Sequence, residues 1–179
     1  MRRVAGLLTF TVLLSGAVAV AQEHKEHGSM IAASPQWEKL KSLVGEWDGY
    51  MQEGEQKYPT HISVRMTGDG SAVMHWMDAG GPHEMVTMFH MDKDELVATH
   101  YCAAHNQPRF RALPAAEANR IAFDFKDGTN IRPGDGYMRK LTLIFVDADH
   151  HDEEWGYDQG GTVNAGMFHL TRAKTASGK

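Results

Sequence analysis

The chain has 179 residues, with 18 lysines and arginines against 23 aspartates and glutamates and a formal net charge of −5. An acidic chain with scattered basic residues lacks the positive face that phosphate backbones and anionic lipid surfaces require, which argues against nucleic-acid and membrane-surface partners. Cys102 is the only cysteine, so no internal disulfide can form and the core must hold the fold by itself.

Residues 1–21 read as an export signal: Arg2 and Arg3, an uncharged apolar run over 4–14, then Ala19-Val20-Ala21 as a small-x-small cleavage site. The mature protein is therefore expected to be secreted or periplasmic. No later stretch approaches membrane-spanning length, so no insertion is expected after cleavage. Residues 22–33 form a short polar lead, in which His24 and His27 read as solvated. Ser34-Pro35 reads as an N-cap followed by proline at the first helical position, and Trp37, Leu40 and Val44 line one face of a short helix that ends at Gly45. The folded domain is expected over 34–173, followed by a flexible tail over 174–179.

From Trp47 onward the apolar period becomes two. Strands are expected over 47–53, 58–67, 71–78, 84–92, 95–103, 107–113, 120–126, 137–147, 151–158 and 162–172. The breaks between them, such as GDGS, AGGP, DKDE and DQGG, are rich in turn residues. Ten short strands with no intervening helix indicate an all-β protein, a single antiparallel up-and-down barrel, because closure alone removes the exposed sheet edges. A two-sheet sandwich is the alternative.

The segment Leu43-Val44-Gly45-Glu46-Trp47-Asp48-Gly49 carries a resemblance. A short helix running into G-x-W-x-G on the first strand is similar to the calycin superfamily of lipocalin-like barrels. The resemblance implies that Trp47 packs across the closed end while Gly45 and Gly49 let the backbone bend. Gly54 to Lys57 leaves no room for the helical lid of fatty-acid-binding proteins, so the layout is nearest to the nitrobindin-like ten-stranded barrels. Those barrels bind haem through a histidine near the C-terminus, a role whose nearest counterpart here is His169.

The Asp69-Gly70 turn pairs Met66 with Val73, Val64 with His75 and Ile62 with Met77, which turns His75 inward among apolar neighbours. The next hairpin has two possible inner faces. One carries Val86, Met88, His90, Val97, Thr99 and Tyr101; the other carries Met85, Phe89, Leu96, Ala98, His100 and Cys102. One residue more or less in the Ala79–His83 loop exchanges them. The expected ligand-binding set is His75, His90 and Tyr101, with Arg109 meeting any acidic group on the ligand.

The stretch Thr99 to Arg109, THYCAAHNQPR, offers His100, Cys102 and His105 as three N/S ligands for zinc or copper, at a spacing that matches no familiar metal motif. An ordinary strand and turn is the favoured reading. A Cys102/His105/Asn106 nucleophilic site can also be drawn, without an orienting context. The run His150-His151-Asp152-Glu153-Glu154 reads as a water-facing turn.

The function expected from these residues is non-covalent binding of a small, largely apolar ligand in a methionine-rich lumen. A haem or metal protein would recruit His75, His90 or His169, and the cofactor is otherwise unassigned. An enzyme would use His75 or His90 as a general base.

Overall fold

The computed structural model describes residues 34–174. The export signal over 1–21, the lead over 22–33 and all but the first residue of the tail lie outside the described residues. No described helix is long and apolar enough to cross a membrane.

One helix, α1 (Pro35–Lys41), precedes ten strands: β1 (Gly45–Glu53), β2 (Gln56–Thr67), β3 (Ala72–Met77), β4 (Met85–Asp92), β5 (Glu95–Tyr101), β6 (Gln107–Ala112), β7 (Arg120–Thr129), β8 (Tyr137–Phe145), β9 (His150–Gln159) and β10 (Thr162–Arg172). Each strand pairs antiparallel with its neighbour in sequence, and β10 returns to β1, so the sheet is a closed barrel. The sandwich alternative is thereby removed. The helix is shorter than its apolar pattern suggests, because residues 42–44 turn tightly to deliver the chain to β1. Ser34 has the extended backbone of an N-cap, but its side chain makes no capping bond; Pro35 at N1 supplies the helix start instead.

The β2–β3 hairpin has the expected register, with Ile62, Val64 and Met66 opposite Met77, His75 and Val73. Gly68, Asp69 and Gly70 are all left-handed in its turn, a run that includes the expected Asp-Gly dipeptide. The β3–β4 register then sets Met77 against Met85, His75 against Thr87 and Val73 against Phe89. This resolves the two-face question: Met85, Thr87, Phe89, Leu96, Ala98 and His100 point inward.

One end of the barrel is sealed. Trp37 and Leu40 of α1, with Leu43, pack under Trp47, which is 1% exposed. The Trp47 indole N–H donates to the Leu43 carbonyl at 2.7 Å. Across the β1–β10 seam the Arg172 guanidinium lies over the Trp47 ring at 4.2 Å. It also donates to the carbonyls of Val44 at 2.9 Å, Ser42 at 3.1 Å and Ala148 at 3.1 Å. Gly45 (φ 142°) leaves the space Arg172 occupies, and at Gly49 a Cβ would run into the His169 carbonyl oxygen. These two glycines are where the seam closes.

Arg172 both stacks on Trp47 and bonds three carbonyls, so Arg172→Ala should lower unfolding free energy by about 2–4 kcal/mol in urea titration. Arg172→Lys should recover less than half of that loss, because an ammonium cannot reach all three carbonyls while stacking. Full recovery by lysine would show that charge alone closes the seam.

Candidate functional site

A column of side chains rises from the sealed end along the barrel interior. His151 meets the Trp47 ring edge-on, centroids 4.2 Å apart. Its Nε2 lies 3.1 Å from Glu153 Oε1, and His75 Nε2 reaches the same oxygen at 3.0 Å. The Trp155 indole N–H donates to Glu153 Oε2 at 2.9 Å. A carboxylate only accepts, so both imidazoles present Nε2–H to it. His100 packs against Trp155 with ring centroids 4.8 Å apart and shares a 2.8 Å hydrogen bond with Thr87 through Nδ1. His100 Nε2 and His151 Nδ1 are buried without a partner among the described residues.

Burial and neighbouring groups together shift two members of this column, Glu153 and His100. Burial alone pushes the Glu153 carboxyl up, but the charge of His75 and the hydrogen bonds from His151 and His75 outweigh it and hold the group below its ordinary range. Burial first, and then the charge of His75, lower His100 to about 3, so its imidazole is neutral at physiological pH.

Above the column the barrel opens into an apolar cup. Two recesses of about 450 Å³ and 410 Å³ share Met51, Glu53, Met85 and Phe168. The first extends to Tyr58, Thr60, Met77, Asp78 and His83, and the second to Met138, Trp155, Tyr157 and Gly166. Trp155 thus joins the two regions, lining the cup while its N–H is held from below. Met138 joins the lining because the β8–β9 register shifts between Met138 and Lys140. A wider, shallow hollow of about 520 Å³ around Pro133, Gly134, Gly160 and Gly161 is built from loops and reaches no part of the column.

Of the expected ligand-binding residues, His75 is inside, 2% exposed. It belongs to the column, however, and does not line the cup. The interior placement expected for His90, Tyr101 and Arg109 is corrected: all three are exposed on the outer wall. The register chosen by the 78–84 loop turns His90 and Tyr101 outward. Arg109 pairs with Asp127, and His90 and Arg109 meet only in a small outer groove of about 170 Å³.

THYCAAHNQPR is the end of β5, a turn, and the start of β6. His105 is exposed at φ 61°, its amide donating to the Cys102 carbonyl at 3.0 Å. His100, Cys102 and His105 do not converge, and among the described residues no three His, Cys, Asp or Glu side chains form a metal-holding group. Burial pushes the Cys102 thiol up, against a smaller lowering by a backbone hydrogen bond from Ala104. The thiol is therefore kept in its unreactive form. Buried Asn106 spends its amide on the Gly136 carbonyl at 2.9 Å. The haem donor set drawn from the sequence does not assemble either. His169 faces outward, held by Asp152 at 2.9 Å, His90 is outside, and His75 has given its Nε2 to Glu153.

The column's central residue was misread from sequence. His151 and Glu153, expected in a water-facing turn, lie on the inner face of β9, being 1% and 0% exposed. The signal was available: counting back by twos from Trp155 reaches both. Arg172 carried no comparable signal, because its partners are backbone carbonyls distant in sequence.

No family model matches the chain, and no curated protein matches it. Among solved structures, Rv2717c from M. tuberculosis is similar at 15% identity and a TM-score of 0.53, covering 79% of this chain and 99% of that one. A protein of unknown function from the DUF3598 family of Nostoc punctiforme is similar at 13% identity and a TM-score of 0.52, covering 75% of this chain. The match spans about half of the Nostoc protein, 48% of its length. Likeness at these identities is a likeness of fold.

The column makes the fold acid-sensitive in two stages. Unfolded His100 takes a proton below about 6.5 while the folded imidazole does not, so stability falls as pH drops from there toward 3. Unfolded Glu153 becomes protonated near 4.5 while the folded group stays ionised, so a second loss begins there. Each group contributes at most about 1.4 kcal/mol per pH unit. Urea midpoints measured across this range should show both limbs, and His100→Gln should flatten the upper one; an unchanged upper limb would contradict the assignment. Glu153→Leu should cost about 3–5 kcal/mol at neutral pH, since two imidazoles and an indole lose their shared acceptor.

Proposed function

We propose that the protein binds a small, largely apolar molecule non-covalently in the open-end cup, and that it does so after export from the cytoplasm. The observation that carries the binding reading is a barrel sealed at one end by Trp47 and Arg172 and opening at the other into methionine and aromatic side chains. Recesses of about 450 Å³ and 410 Å³ fall within the size range of small-molecule sites. Methionine suits such a lining, being unbranched, polarizable and able to fit ligands of irregular shape. The column below supports the cup: Trp155 cannot turn away from the lining without giving up its bond to Glu153. The export reading rests on Arg2, Arg3 and Ala19-Val20-Ala21. The same reading places the chain among calycin-type barrels, supported by the short helix and the G-x-W-x-G strand.

Burial should dominate the affinity. Each methylene moved from water into the cup contributes about 0.8 kcal/mol, or about fourfold in affinity. The neutral dye N-phenylnaphthylamine should brighten on binding and be displaced by linear alcohols with that increment per carbon. Gly166→Phe fills the cup from within: a Cβ there meets only Met51, whose sulfur is 3.6 Å away. This variant should weaken dye binding at least tenfold while keeping its melting temperature within a few degrees. Undiminished binding by Gly166→Phe would place the ligand elsewhere.

A further inference from the structure

We infer that the cup's ligand is an organic cation, an apolar body ending in an ammonium group, and not a carboxylate or a phosphate ester. The inference rests on the cup being the binding site and goes on to the ligand's charge. Glu53 lines both recesses and Asp78 lines one of them. Among the described residues, no lysine or arginine lines either recess. The basic side chains near the mouth are engaged elsewhere. Lys57 lies over the outward-facing ring of Tyr50 at 4.2 Å, and Arg139 donates to the Tyr137 hydroxyl at 3.2 Å and sits 3.7 Å from Asp158.

The Asp78 carboxylate is held in place, accepting from the Thr60 hydroxyl at 3.0 Å and the His61 amide at 3.1 Å. An anionic head group would therefore approach two carboxylates and find no cation to pair with. Nor does Trp155 offer it a donor, because that N–H is given to Glu153. An ammonium group meets the opposite situation. Carboxylates stand at the rim, and Tyr58, Tyr157, Trp155 and Phe168 supply rings whose electron-rich faces attract cations. His83 is the only histidine that lines either recess.

The test compares three probes with the same apolar body: dodecyltrimethylammonium, dodecanol and dodecanoate. Each displaces N-phenylnaphthylamine from the protein at low salt, below its micelle concentration, with Gly166→Phe as the control for displacement outside the cup. The ammonium should bind about three- to tenfold more tightly than the alcohol, and the carboxylate at least tenfold more weakly than the ammonium. Glu53→Gln should bring the ammonium-to-alcohol ratio toward one, as should added salt. Glu53 is exposed near the end of its strand, so this substitution leaves the core untouched. If the alcohol binds but the carboxylate equals the ammonium, the charge inference is overturned while the cup reading stands. The same holds if neither Glu53→Gln nor salt moves the ratio. If no probe displaces the dye, the cup reading itself is overturned.

Discussion

A single carboxylate removed from water organises the interior. Glu153 has no exposure and accepts from three side chains, two on its own strand and one on β3. An unpaired charge in that position would be costly, and His75, His151 and Trp155 are held where they satisfy it. From there the constraint spreads in both directions. Below, His151 fixes the edge of Trp47, which carries Arg172 and the seam. Above, Trp155 is oriented as part of the cup lining and carries His100 against one side. The sealed end and the open end are thus ends of one connected stack.

This stack explains how a polar interior can coexist with an apolar cup. The carboxylates of Glu53 and Asp78 stand at the rim of the cup, while in the middle of the barrel the polar groups gather around Glu153. The cup above them consists mostly of side chains with few directional demands. Such a division suits selection by shape, hydrophobicity and overall charge better than selection by a precise set of hydrogen bonds. Neither His75 nor His100 lines the cup.

Much of the architecture was legible because alternation and turn residues are local signals. The ten strands, the β2–β3 register and the inward turn of His75 all follow from spacing within a few residues. The inner face of β4 and β5 was not legible, because it depends on how the 78–84 loop uses its residues, including the left-handed Asp78 and Gly80. That undecided step concerns His90 and Tyr101; Arg109, on β6, lies opposite Thr99 and shares its outward face. Glu153 was overlooked for a different reason. Its charged neighbours suggest a solvated turn, and burial of a carboxylate becomes credible only once its three donors, one of them on the distant strand β3, are known. Met138 enters the cup through a β-bulge, which simple alternation does not anticipate.

The seam between β1 and β10 joins Trp47 to Arg172, residues from opposite ends of the domain. Every other strand pair is a neighbour in sequence and can form as a hairpin with a short loop. Among the strand pairs, the seam alone must bring together segments separated by most of the domain, at the largest loop-closure entropy of any of them. Folding is therefore a race between zipping and fastening: the meander can assemble progressively, but it remains an open sheet with two exposed edges until the last strand finds the first. In that interval the edges are free to pair with another molecule. The contacts gathered around Trp47 and Arg172 thus guard the protein's solubility as well as the shape of its interior.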